Sequence, residues 1–282
     1  MNLKLSMITD EATQSLPDAI HLARQLSMSG LELRTVENTA VAAMTADTLK
    51  KYRRMTDDAG LAICSLSSDF CKCDFAPDAL HGEMEKLQRL LDAAETLNCP
   101  VIRGFSFWQK EGDDMNAIAD FLRRAAEMAG ARGRTICLEA DPHVHTSTHV
   151  ALAALLRQVN SPFAAAIYDP GNSVWVHETP YPDGYEAIAP FIRHVHIKDA
   201  VVVNGEAEAV CPGTGLVDYP GLLRQLKKDG YTGYFSMETH YRKASALSEE
   251  LLKRPGGSSF SEGGWEAMFE SVQAFVRMYQ SL

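Results

Sequence analysis

No stretch of this sequence approaches the roughly 20 consecutive apolar residues that a membrane-spanning helix needs, so none is expected. The opening Met1-Asn2-Leu3-Lys4-Leu5 has no long apolar run leading to a small-residue cleavage site, which speaks against a signal peptide. Basic residues are in short supply. Lys and Arg number 27 against 37 Asp and Glu, a formal net charge of -10, and no basic cluster offsets it. Such a chain would repel a phosphate backbone, so a nucleic-acid partner is not expected. The six cysteines lack a zinc spacing: Cys71-Lys72-Cys73 is the close pair, and no second pair completes it. Cys64, Cys99 and Cys137 sit in apolar runs, where a thiol packs as a small hydrophobe. The expectation is reduced cysteines in a cytoplasmic protein. A dinucleotide G-x-G-x-x-G is missing after the first strand-like run, and Gly213-Thr214-Gly215 is too short a signal for a nucleotide site.

What is present is a chain of 282 residues, 46% hydrophobic and 23% charged, enough for one large α/β barrel or two ordinary domains. Short β-rich runs alternate with amphipathic stretches eight times. The strand candidates begin near Leu3, Gly30, Leu61, Cys99, Arg134, Ala164, Ile192 and Gly233, spaced at about the 30 residues of a strand-helix unit. Helices are predicted over Pro17 to Met28, Thr45 to Ala59, Pro77 to Leu97, Asp113 to Ala131, Tyr219 to Asp229 and Glu266 to Tyr279. In the third, Leu80, Met84, Leu87, Leu91 and Ala94 recur at three- and four-residue spacing and make one apolar face. Eight units with no linker predict a single domain over residues 1–282, an α/β (β/α)8 TIM barrel; a doubly wound open sheet is the alternative. The segment Tyr241 to Gly264, which contains Arg-Pro-Gly-Gly-Ser-Ser, reads as an extended loop over the barrel mouth.

In such a barrel the chemistry lies at the C-terminal ends of the strands. Strand five ends in Glu139, strand six in Asp169, strand seven in His196 and strand eight in Glu238. Neighbouring strands lie about 4.8 Å apart, so these four side chains can converge. Three crowded carboxylates repel one another unless a proton or a cation intervenes. Three carboxylates and an imidazole suit one divalent ion, Mn²⁺ first, then Mg²⁺ or Co²⁺, with Zn²⁺ also compatible. An isolated acid at a strand end is more often a solvated group; four on consecutive strands are not explained that way.

Further residues have two readings each. Lys198, two after His196, points inward and either binds a substrate oxygen or pairs with a glutamate. Arg103 ends strand four and either receives an anionic group or pairs with Glu139 or Glu32. His143 and His145 lie above strand five as substrate contacts or solvated loop residues. His240 follows Glu238 by two and is a supporting or proton-transfer candidate, and His177 is a weaker pocket candidate. Phe105, Phe107, Trp108 and Trp175 either stack on a sugar or cyclitol ring or pack between loop and helix.

The runs Cys137-Leu138-Glu139, Tyr168-Asp169-Pro170-Gly171-Asn172, His194-Val195-His196-Ile197-Lys198-Asp199 and Ser236-Met237-Glu238 resemble the xylose-isomerase-like TIM barrels. Gly30-Leu31-Glu32-Leu33 and Pro212-Gly213-Thr214-Gly215 extend the resemblance over most of the chain. It implies a metal-dependent sugar isomerase or epimerase, with Glu139, Asp169, His196 and Glu238 as metal ligands. Glu139 and Glu238 would then serve as acid and base beside a carbonyl held by the metal. The substrate implied is a small polyhydroxy ketone, a carbohydrate or cyclitol, and the family's habit of pairing through mouth loops implies a homodimer or homotetramer. Two departures from the ketose 3-epimerases stand out: Asn172 replaces a substrate-holding histidine, and Lys198-Asp199-Ala200 lacks the arginine expected after the strand-seven histidine. These forms look more like the inosose-dehydratase branch, so a metal-dependent lyase that dehydrates a cyclic polyol or keto acid is the alternative.

Overall fold

The computed structural model describes residues 3–244 and 246–282. The Met1-Asn2 lead-in to the first strand and Ser245 of the mouth segment lie outside the described residues. Eight parallel strands form the main sheet: β1 (Leu5–Met7), β2 (Gly30–Leu33), β3 (Ala62–Phe70), β4 (Val101–Gly104), β5 (Thr135–Glu139), β6 (Ala164–Tyr168), β7 (Ile192–Ile197) and β8 (Phe235–Met237). Every start lies within two residues of its sequence expectation. From β2 to β8 each strand pairs with its sequence neighbour, and β8 also pairs with β1, Met7 lying opposite Met237. The seam between β1 and β2 is narrower. There Ile8 bridges Glu32, and the Ser29 N–H donates to the Leu5 carbonyl at 3.0 Å. The result is a nearly closed TIM barrel.

The helices form the outer ring: α1 (Leu16–Gln25), α2 (Ala46–Asp58), α3 (Pro77–Thr96), α4 (Met115–Ala131), α5 (His149–Val159), α6 (Pro170–Trp175), α7 (Tyr185–Ile188), α8 (Tyr219–Lys228), α9 (Glu249–Lys253), α10 (Ser258–Ser261) and α11 (Gly264–Gln280). Their starts follow local chemistry. Ser15, Thr45, Asp114 and Thr148 each accept a backbone N–H of the first turn that would otherwise lack a partner. The six helices expected from sequence are all present. The expectation missed α5, whose buried Leu152, Ala153, Leu155, Leu156 and Val159 supply the face that covers the barrel.

Strand alternation divides the interior in two. Outward residues such as Ile102, Ile136, Leu138, Val195 and Ile197 pack against the helices in the main core. Inward residues Val101, Cys137, Ala165 and Ile167 make a small apolar plug inside the barrel. Two residues further along the same strands, the inward positions become Arg103, Glu139 and Asp169. The polar mouth is thus the next layer above an apolar floor.

The Tyr241–Gly264 segment does cover the mouth, but the expectation of an extended loop is corrected. It folds into α9 and α10, because Ser248 accepts the Leu251 N–H and starts α9. Phe260 of α10 is fully buried, with the guanidinium groups of Arg34 and Arg242 4.6 and 5.2 Å from its ring centre. Among the described residues no helix is long and apolar enough to cross a membrane.

Candidate active site

Glu139, Asp169, His196 and Glu238 do converge. Each offers a ligand atom within 4.8 Å of the others, and all four are buried. Local structure sets their aim. Glu139 is the last residue of β5. Asp169 follows β6 and caps α6, its Oδ1 accepting the N–H groups of Gly171 at 2.9 Å and Asn172 at 3.3 Å. That use of Oδ1 leaves Oδ2 turned toward the cluster, 2.8 Å from the Lys198 ammonium. His196 lies opposite Ser236 in the β7–β8 register. Its Nδ1 is 2.8 Å from Glu139 Oε1 and 3.0 Å from Glu238 Oε2.

Lys198 and Arg103 point inward and take the paired reading. The Lys198 ammonium also lies 3.3 Å from Glu238 Oε2 and donates to the Asn172 side-chain oxygen at 3.0 Å. Arg103 Nη1 donates to Glu139 and Glu238, both at 3.1 Å, and its expected alternative partner Glu32 is engaged elsewhere. Both side chains still reach the pocket, whose wall includes Arg103, Asn172, Lys198, His143, His240 and the aromatic Trp175. His240 stands 3.3 Å from Glu11 and 3.7 Å from Glu238. Burial depresses its pKa below the ordinary imidazole value, and Lys198 pulls the same way.

Other candidates separate. His145 turns away to Asp113 at 3.0 Å, and His177 is exposed outside the pocket wall. Phe105 lines the pocket, whereas Phe107 is a core residue packed edge-on against Phe75 and Phe121. Gly213 and Gly215 donate their N–H groups to Asp199 Oδ2 at 2.8 and 2.9 Å, so that loop is an anchor for the end of β7.

Residues outside the site set expected from sequence complete the site. Glu32 is fully buried behind His196, with its Oε2 3.2 Å from His196 Nε2 and 2.8 Å from His194 Nε2. Arg34 joins Asp10, Glu11 and Glu238 at 3.0 to 3.1 Å. The available signal was alternation: Glu32 is an inward position of β2, as Glu139 is of β5, and Arg34 follows β2 at the same parity. Lys72 and Asp141, paired at 2.8 Å, form part of the pocket wall.

Cations do stand between the carboxylates, as expected, and three of them are the chain's own: the fold inserts Arg34, Arg103 and Lys198. Burial would raise Glu238, but Lys198, His196 and Arg103 hold it well below the usual carboxylate range. Burial pushes Asp169 up despite the pull of Lys198. Burial opposes a charged His196, yet Glu32, Glu139 and Glu238 drive its pKa well above the ordinary value. A deficit remains. The connected network has six carboxylates (Asp10, Glu11, Glu32, Glu139, Asp169, Glu238) against four permanent cations (Arg34, Arg103, Lys198, Arg242). With His196 neutral, as it would be when it ligates an ion, two negative charges are unmatched, the charge of one divalent ion. Three carboxylates and an imidazole are donors such an ion accepts, so the residues fit a metal.

With this geometry established, comparison with known proteins assigns the class. The family model described as xylose isomerase-like TIM barrel matches residues 20–260, and the chain belongs to that family. A 3-dehydroshikimate dehydratase of Pseudomonas putida is 26% identical over 250 residues, which is 84% of this chain. The chain spans 38% of that relative's length. Two solved structures share the fold. One, described as the probable 3-DHS dehydratase of petrobactin synthesis from Bacillus anthracis, has a TM-score of 0.75 at 17% identity, covering 97% of this chain and 99% of that one. The other, an L-ribulose 3-epimerase, has a TM-score of 0.73 at 18% identity, covering 99% and 95%.

Proposed function

We infer that this chain is a divalent-metal-dependent isomerase or epimerase that moves a proton at the carbon beside the carbonyl of a small polyhydroxy ketone. The observation that supports this reading is the buried meeting of Glu139, Asp169, His196 and Glu238 at the mouth of the barrel. These four would hold one ion, Mn²⁺ ahead of Mg²⁺, Co²⁺ or Zn²⁺. When bound, the ion supplies a Lewis acid that polarises a substrate carbonyl and acidifies the adjoining C–H.

The chain's own residues do the rest. Glu238 is held ionised by its cationic neighbours, so its carboxylate can accept the proton. Glu139, across the Arg103 guanidinium from Glu238, can return a proton from its own side. Lys198 stays charged between Asp169 and Glu238 and can balance negative charge that develops on a substrate oxygen. Asn172, His143 and His240 contribute polar contacts, while Phe105, Trp175, Leu252 and Pro255 keep water out.

A second reading has a specific observation in its favour. The 3-dehydroshikimate dehydratase relative suggests that proton removal is followed by loss of a β-hydroxyl. Lys198 is one of the pocket-wall donors that could assist that departure. The test is to measure bound metal, then incubate the loaded protein with ketoses, inososes and 3-dehydroshikimate in deuterated water. Deuterium beside the carbonyl in an isomeric product supports the first reading. A new ultraviolet-absorbing enone from an inosose, or an aromatic dihydroxybenzoate from 3-dehydroshikimate, supports the second. If the metal-loaded protein exchanges no proton on any of these compounds, both readings fail.

A further inference from the structure

Directly above the carboxylate cluster the free space is small, about 40 Å³, room for little more than water. A substrate of several carbons must place most of its atoms elsewhere. The available volume is a neighbouring cavity of about 350 Å³, within the range that holds small molecules. The two spaces share Lys72, Arg103 and Pro255 as common walls.

That second cavity has an unusual lining for a chain of net charge -10. Five cations (Arg34, Lys72, Lys86, Arg103 and Arg254) face it, against Asp69 as the lone carboxylate of its wall. Four of the five already have carboxylate partners. Arg254 has no acidic partner among the described residues and rests 6.0 Å from the centre of the Trp108 ring. The wall also holds an unused polar atom. Ser67 is fully buried, and its hydroxyl has no hydrogen-bond partner.

We propose that this cavity receives the carboxylate end of a keto-acid substrate, with Arg254 as its counter-ion and Ser67 as a hydrogen-bond donor. The proposal rests on the second reading above, a keto-acid substrate whose reacting carbonyl end sits at the Glu139–Glu238 cluster. Charge decides between anions. Arg254 is exposed, and its one unpaired charge with the free Ser67 hydroxyl matches a monoanion, whereas a phosphate dianion would carry a second charge that no unpaired cation of this wall meets. Arg254 lies just beyond α9 on the segment that covers the mouth, so a bound carboxylate would also help hold that cover in place.

The test compares 3-dehydroshikimate with its methyl ester, which differ in the carboxylate charge, by calorimetric titration of the metal-loaded protein. The acid is expected to bind at least tenfold more tightly than the ester. Arg254→Gln should reduce that preference to about twofold, and Arg254→Lys should restore most of it. Ser67→Ala should weaken the acid severalfold with the fold intact by circular dichroism. Equal affinity for acid and ester, a full preference retained in Arg254→Gln, inorganic phosphate binding more tightly than the acid, or failure of the acid to bind at millimolar concentration overturns the proposal. Turnover is read separately. Equal binding of acid and ester with turnover of both removes the carboxylate subsite and leaves the function standing. Preferential binding of the acid without proton exchange does the reverse.

Discussion

Glu32 lies directly behind His196, its carboxylate 3.2 Å from Nε2, while Nδ1 of the same ring faces Glu139 and Glu238. A carboxylate on the far nitrogen fixes both the orientation of the imidazole and the nitrogen it offers to a metal. Glu32→Gln is therefore expected to lower metal affinity by about 10- to 100-fold without unfolding the barrel. Competition against a fluorescent chelator measures this directly. Unchanged affinity would show that Glu32 does not set the ring.

Glu238 touches His196, Lys198, Arg103 and Arg34 at 3.0 to 3.3 Å. Glu238→Gln keeps the shape and removes the base. Proton exchange into deuterated water should fall by at least about 100-fold, the usual scale of a lost general base. Retained exchange at the wild-type rate would take Glu238 out of the proton-transfer role.

Gly171 is a position where only a hydrogen fits. A Cβ there would lie 2.7 Å from Lys198 Cβ, Cγ and carbonyl oxygen. Gly171→Ala should displace Lys198 from Asp169, with a stability loss of about 1–3 kcal/mol from overpacking. The measurements are chemical denaturation and turnover. The variant is expected to lose activity at temperatures where it is still folded.

Away from the cluster, Glu178 sits between the N-terminus of α5 and Ser173, 2.8 Å from His149 Nδ1. Burial would raise its pKa, but the hydrogen bond and charge of His149 lower it to about 2. A depressed carboxyl contributes stability that is present above its unfolded pKa, near 4.5, and is lost as pH falls toward 2. About 1–2 kcal/mol is expected, since partial contact with solvent screens the pair. Denaturation of the wild type and Glu178→Gln at pH 7 and pH 3 checks the sign: the gap should narrow in acid. A gap that widens would contradict the depressed pKa.

The eight strand starts and the four converging side chains were legible because they depend on short-range pattern. Apolar alternation locates a strand, and its last inward residue faces the mouth whatever the rest of the chain does. α5 went unnoticed because its helix signal follows directly on the polar loop from Asp141 to Thr148. The cover over the mouth was recognised as a segment, but α9 depends on its Ser248 cap, and α10 on the distant Asn38 side chain that accepts the Ser258 N–H and on Phe260 finding Arg34 and Arg242 beneath it.

The order of residues in the chain therefore determined the barrel, the level of the site and the identity of its metal-capable groups. Closure decided which charges meet. Asp10 and Glu11 follow β1, Arg34 follows β2 and Glu238 follows β8, so their ion pairs exist only once the sheet has curled round and brought its two ends together. Nothing in local sequence encodes that distance. For that reason the cations that partly neutralise the cluster, and the residual charge left for a metal, belong to the tertiary structure alone.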